Sequence, residues 1–190
     1  YAAADLSGAT HPTGSTWIRE LLFLGYKHLI VLDRVKPGDR TTTKWLLQSM
    51  EPAAIDHENR VVTIDNGKAV LYSQTLLPAE TSMVETGLID RERKGKMQKH
   101  AYSYPRQPWK SKEVVTQAFP AGWFRGKPEQ MVGHGRVEVV PAEPGAEQVY
   151  LHVLSPLDKA AAMPKASVKE QDGNYTVTVG DLSHTLQPPR

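Results

Sequence analysis

The dipeptide Asn66-Gly67 separates two runs of β-compatible residues, Arg60 to Asp65 and Lys68 to Leu77. Asn and Gly tolerate positive φ at the centres of a tight turn, so this stretch predicts two antiparallel strands joined by almost no loop. The same logic extends outward. Trp17 to Val35 breaks at Gly25 into two apolar segments, with Leu29, Val31, Asp33 and Val35 alternating against His28, Ile30, Leu32 and Arg34, which predicts a second hairpin. Lys36-Pro37-Gly38-Asp39 closes its second strand, and the threonines opening Thr41 to Met50 favour extended structure. Lys44 to Ser49 alone reads equally as a helix, but it is short and its neighbours are β. Further strands are expected near Thr81 to Gly87 and over Glu113 to Phe119, Arg136 to Val140, Val149 to Leu154, Ala166 to Lys169 and Tyr175 to Val179, with turns at Pro144-Gly145 and Gly173-Asn174.

About ten or more short strands, with no segment of clear 3.6-residue period, predict an all-β fold, specifically a two-layer antiparallel β-sandwich. A chain of 190 residues suits one such core, so residues 1–190 are expected to form a single domain. The balance of 23 Lys and Arg against 21 Asp and Glu leaves a net charge of +2, too small for the whole-chain field to argue for nucleic acid or a membrane as partner. With no cysteine, disulfides, zinc-thiolate sites and thiol catalysis are excluded together. Apolar stretches such as Leu29 to Leu32 are far shorter than the roughly 18 residues a spanning helix requires. No signal peptide is visible, and the chain starts at Tyr1, already inside a β-like run, which is what a piece of a longer protein would show.

Residues 88–112 read as a long basic loop. From Arg91 to Lys112 the sequence carries Arg91, Arg93, Lys94, Lys96, Lys99, Arg106, Lys110 and Lys112 against the single acid Glu92, with Tyr102, Tyr104 and Trp109 interleaved. Carboxylates or sulfates pair with Arg and Lys, and pyranose rings lie on aromatic planes, so the pattern suits an acidic polysaccharide. It also suits single-stranded nucleic acid, although the rest of the chain has no nucleic-acid module signature, or simply a solvated loop. His134, between Gly133 and Gly135, is a candidate ligand contact because glycines allow close backbone approach, a plain turn being the alternative.

The seven histidines are scattered, with no i,i+2 or i,i+4 pair to hold a metal, so no metal or cofactor is expected. His152, in Tyr150-Leu151-His152-Val153-Leu154, reads as a core histidine facing the same way as Tyr150 and Leu154. Asp33-Arg34 reads either as a carboxylate beside its orienting partner or as a structural pair pinning a strand end. Trp17, Trp45, Trp109 and Trp123 read as core or loop anchors before ligand platforms. No phosphate loop, nucleophile elbow or paired-carboxylate motif is present.

Several segments, in order, resemble the C-terminal β-sandwich region of the heparinase II/III-like polysaccharide lyases, a group related to alginate lyases. Tyr1 to Ala9 is similar to that family's extended Y-x-x-A-D-L strand, and Arg19 followed by Leu29 to Val35 is similar to its strand pair ending in D-R-V. Trp45-Leu46-Leu47-Gln48 resembles the next strand, with Gln48 where a histidine is usual, and Gly135 to Pro141 with Tyr150 to Leu154 resemble later strands. The resemblance implies a parent enzyme with an α/α toroid before the sandwich, cleaving uronic-acid polysaccharides by β-elimination. That chemistry needs a group to neutralise the uronate carboxylate and a Tyr or His to move protons. In the family these groups, and any metal ligands, lie in the toroid and a segment preceding the region matched here. The resemblance thus implies a non-catalytic sandwich, inactive alone, that supports the toroid and contacts acidic substrate, in a secreted or periplasmic bacterial protein. The alternative is a free-standing carbohydrate-binding or adhesion-type sandwich, since fold does not fix function.

Overall fold

The computed structural model describes residues 1–7, 14–38, 42–49, 51–86, 135–143 and 145–188. The described residues form an all-β antiparallel sandwich of thirteen strands. Seven make a central sheet in the order β1 (Ala2–Asp5), β2 (Thr16–Leu24), β3 (His28–Lys36), β10 (Gln148–Asp158), β7 (Ala69–Leu77), β6 (Val61–Asp65) and β5 (Ala53–Asp56). Two three-stranded sheets pack against it: β4 (Trp45–Ser49), β9 (Gly135–Pro141) and β8 (Thr81–Thr86) in the order β4-β9-β8, and β11 (Ala166–Gln171), β12 (Asn174–Val179) and β13 (Leu182–Leu186).

Alternation along β10 shows where each covering sheet lies. Leu151 and Val153 join Ile30, Leu32, Leu22 and Leu24 in one core with Tyr175, Val177, Val179 and Leu186 of the β11-β12-β13 sheet. Tyr150, one residue away, belongs to a second core with Trp45, Met83, Val137 and Val139 of the β4-β9-β8 sheet, and Val62. Adjacent side chains on a strand point to opposite faces, so the two small sheets cover opposite faces of the large one. This explains why β3 and β10 read as nearly continuous apolar runs: both their faces are buried, and Ile30, Val31 and Leu32 are all in the interior.

Both predicted hairpins form. At β2-β3 the Lys27 amide donates to the Leu24 carbonyl in a turn whose two central residues, Gly25 and Tyr26, are both left-handed, with φ of 58° and 55°. At β6-β7 only Gly67 is left-handed, at 88°; Asn66 acts instead through its side chain, whose Oδ1 accepts from the amides of Lys68 and Ala69. The β11-β12 turn is centred one residue earlier than the sequence indicates, on Asp172-Gly173, with φ of 52° and 74°. Lys44 to Ser49 is strand, the helical alternative losing to pairing of β4 with β9. Strands β5 and β13 were not anticipated. The expected strand over Glu113 to Phe119 lies outside the described residues.

Gly25 is also sterically constrained, since a Cβ there would sit 2.3 Å from Leu182 Cδ1. Gly25→Ala is expected to lower the unfolding free energy by about 1–2 kcal/mol, mostly the cost of left-handed backbone. The exposed Leu182 side chain can rotate away. Equilibrium denaturation of Gly25→Ala with and without Leu182→Ala separates the two parts: if the second change restores full stability, the clash and not the backbone is responsible.

Candidate ligand cleft

The β2-β3 register sets Arg19 directly across from Asp33, on the face turned toward β4. The Arg19 guanidinium grips the carboxylate with two bonds, Nε to Oδ1 at 2.7 Å and Nη2 to Oδ2 at 2.8 Å, and the Trp17 indole Nε1 donates to Oδ1 at 2.7 Å. The guanidinium also lies over the Trp17 ring, 5.0 Å from its centroid. Asp33 is only 2% exposed at its side chain while Arg19 is 33% exposed, so the acid is a buried anchor and the base presents one edge to solvent. Asp33 therefore pairs across the hairpin and not with its neighbour Arg34, whose side chain faces the other way.

On that opposite face Arg34 Nε donates to the fully buried Glu20 at 3.1 Å, its Nη1 donates to the Gly173 carbonyl at 3.2 Å, and its guanidinium lies 4.9 Å from the Tyr175 ring centroid. The Tyr1 hydroxyl donates to the second Glu20 oxygen at 2.8 Å. This cluster ties β1, β2 and β3 to the β11-β12 hairpin. Asp33 and Arg34 are therefore not the pair the sequence suggested: each bonds a separate partner, Arg19 and Glu20, on its own face.

Residues Trp17, Arg19, Asp33, Lys36, Thr43, Lys44, Trp45 and Tyr150 are among those lining a cleft of about 420 Å³ where β2 and β3 meet the segment entering β4. The Tyr150 hydroxyl and Thr43 Oγ1 are 2.6 Å apart and share a hydrogen bond. Burial, aided by the charge of Asp33, raises the Tyr150 pKa, keeping it a neutral phenol at physiological pH. Behind the cleft wall the His152 ring stacks on Trp45 with centroids 3.6 Å apart, and its Nδ1 is 3.1 Å from Thr75 Oγ1. His152 is entirely buried, the core histidine on the face of Tyr150 that the sequence indicated.

The two lysines beside the cleft pair with acids that do not line it. Lys44 Nζ donates to Glu138 Oε2 at 2.6 Å, and Arg136 Nε donates to Oε1 of the same carboxylate at 2.9 Å. Burial alone would raise the Glu138 pKa, but the hydrogen bonds from Lys44 and Arg136 outweigh it and hold the group below the usual range. Lys36 Nζ meets Glu147 at 2.5 Å, with both side chains more than half exposed. An open pair of this kind contributes little and exchanges readily with solvent or another anion.

Of the residues singled out from the sequence as ligand contacts, Arg91, Arg93, Lys96, Lys99, Tyr102, Tyr104, Arg106, Trp109 and His134 all lie outside the described residues, as does the basic loop 88–112. Trp17 and Trp45 serve as anchors, one bonded to Asp33 and the other stacked on His152. Arg19, Lys36, Thr43, Lys44 and Tyr150 were not anticipated as a group, because they come from three strands and a connection distant in sequence.

No family model matches the sequence, and no curated protein matches it. The fold has counterparts among solved structures. The heparan sulfate lyase HepC from Pedobacter heparinus superposes with a TM-score of 0.51 at 17% identity, covering 97% of this chain and 27% of that one. Two heparinase III structures each superpose with a TM-score of 0.55, at 13% and 12% identity and with the same coverage. The chain thus spans 27% of the length of the structures it matches and has the fold of that part of them, which is the fold the sequence resemblance implied.

Proposed function

We propose that this chain is the non-catalytic β-sandwich region of a polysaccharide lyase of the heparinase II/III type, which cleaves uronic-acid polysaccharides by β-elimination. The observation that carries the reading is the coverage: nearly the whole chain, 97%, superposes on only 27% of a heparan sulfate lyase. In this reading the chain's partners are an α/α toroid of the same parent protein, preceding Tyr1, and the acidic polysaccharide itself. An extracellular polymer as substrate places the parent protein in the periplasm or outside the cell.

The chemistry of the cleft supports a binding role. β-Elimination requires a base able to take the C5 proton of a uronate. In the cleft wall His152 is sealed behind Trp45, and Tyr150 is held as a phenol sharing its hydroxyl with Thr43. The partly exposed Arg19 and the hydroxyls of Thr43 and Tyr150 suit contact with a sugar, while the reacting groups are supplied by the toroid.

Two measurements test this. The chain alone, incubated with heparan sulfate and with alginate, is expected to release no unsaturated uronide, whereas the longer protein encoded by the parent gene releases it from one of them. Cleavage by the isolated chain would refute the non-catalytic assignment. A parent gene with no helical region before Tyr1 would favour a free-standing carbohydrate-binding or adhesion-type sandwich instead.

A further inference from the structure

We propose that the apolar row formed by Phe23, Leu29 and Leu154, with Tyr26 at its end, is the surface on which the part of the parent protein preceding Tyr1 packs. The proposal rests on the reading above, that such a part exists, and names where the sandwich meets it.

Strand β2 is apolar on both faces but buried on only one. Leu21, Leu22, Phe23 and Leu24 are consecutive, and an unbroken apolar run of this kind belongs to strands covered on both sides. Leu22 and Leu24 lie in the core beneath the β11-β12-β13 sheet, whereas Phe23, on the opposite face, is 53% exposed. The register carries that face across three strands: Phe23 is opposite Leu29, and Leu29 is opposite Leu154. Leu29 and Leu154 are half-buried. The β4-β9-β8 sheet covers the same face where Trp45 stacks on His152, one step along β10 from Leu154 on that side. Tyr26, 90% exposed, stands nearly perpendicular to the Phe23 ring with centroids 6.4 Å apart, so it extends the apolar surface past the end of the strand.

Strand β1 determines what arrives there. It runs antiparallel to β2, with Ala2 opposite Leu21 and Ala3 opposite Glu20. Each step back along β1 is therefore a step forward along β2, and a residue preceding Tyr1 comes in beside Phe23. By alternation that residue faces the Phe23 side, since Tyr1 turns to the other side to bond Glu20. The extent of the surface favours a tethered partner over a free one. A stable interface between separate proteins takes about 20–30 residues on each side, more than this row and Tyr26 supply. A partner joined through β1 needs much less contact, because the connection holds it at high effective concentration. Its chemistry is apolar: the charge of Arg19, the nearest cation on this face of β2, is already answered by Asp33, so the row calls for aliphatic and aromatic side chains and not for acids.

The test is hydroxyl-radical footprinting, read by mass spectrometry, of the 190-residue chain in dilute solution and of the longer protein encoded by the parent gene. Phe23 and Tyr26 are expected to oxidise readily in the isolated chain and several-fold more slowly in the longer protein. Equal oxidation in the two would overturn the proposal. Slow oxidation in the dilute isolated chain would also overturn it, by showing that the chain covers its own face, and protection that grows with concentration would overturn it in favour of a second copy. Phe23→Ser gives an independent readout. It should lower the unfolding temperature of the sandwich by about 3 °C or more in the longer protein and by less than about 2 °C in the isolated chain, where the position is solvated. Equal shifts in both proteins would count against docking at this face. Release of unsaturated uronide checks the lyase reading separately. A longer protein that cleaves the polymer yet leaves Phe23 and Tyr26 reactive refutes this proposal alone, whereas a parent gene encoding nothing before Tyr1 refutes both.

Discussion

Asp33→Ala is expected to destabilise the fold by about 3 kcal/mol, near the lower end of the 3–5 kcal/mol seen when one partner of a buried ion pair is removed. The carboxylate is 2% exposed and accepts from Arg19 twice and from the Trp17 indole once, so its loss strands three donors. The cost stays toward the lower end because Arg19 is one-third exposed and can turn its freed groups to water. Trp17 has less scope, being half-buried. Urea denaturation followed by far-ultraviolet dichroism gives the magnitude, and repetition at high salt tests its origin. A buried, hydrogen-bonded pair responds weakly to screening, whereas a surface pair loses its contribution. A loss below about 1 kcal/mol would place the pair in the surface class. Arg19→Met in the Asp33→Ala background should recover part of the loss by removing the unpaired cation.

The bonded hairpins were legible because turn chemistry at Gly25 and Asn66-Gly67 is local. Their register was not: the sequence breaks at Gly25, which would set Arg19 across from Val31, but the hairpin turns about Tyr26, and counting outward from there pairs Leu24 with His28 and Arg19 with Asp33. Strands β5 and β13 were not legible either: β13 has four of its five residues facing solvent, and β5, although Ala53 and Ile55 pack on the second core, is only four residues long, so their order comes from pairing with β12 and β6. That a separate small sheet covers each face of the large one was equally hidden. Alternation along β10 says that Leu151 and Tyr150 face opposite ways, but it cannot say that each face has its own covering sheet. The cleft lies one level further on. Thr43 and Tyr150 share a hydrogen bond across 107 residues of sequence, a contact that only the packing of two sheets creates. The basic and aromatic segment drew attention because its residues are contiguous, while the cleft residues are dispersed and individually ordinary.

The second large effect concerns acid. His152 is completely buried against Trp45, and burial, reinforced by the nearby Arg19 charge, lowers its pKa from 6.5 to about 3. The groups facing it in the same core are Tyr150, a neutral phenol, and Trp45, so no described carboxylate is positioned to welcome its proton. Between these two pKa values the unfolded chain binds a proton that the native state excludes. Stability is therefore fully present above about pH 6.5 and falls as the pH drops toward 3, by up to about 1.4 kcal/mol per pH unit. At pH 4 the contribution amounts to a loss of about 3 kcal/mol relative to pH 7. His152→Phe retains a ring against Trp45 but cannot titrate. It gives up the Thr75 hydrogen bond, so it should be within about 1 kcal/mol of wild type at pH 7 and clearly more stable than wild type at pH 4. The titrations of His28, lowered by burial and by Lys27, and of Glu138 occur in both proteins and cancel in the difference. Urea denaturation of the two proteins across this pH range measures that difference directly. Parallel stability curves would mean that the core admits a protonated His152, and the imidazole would then have to be regarded as accessible to chemistry in the cleft after all.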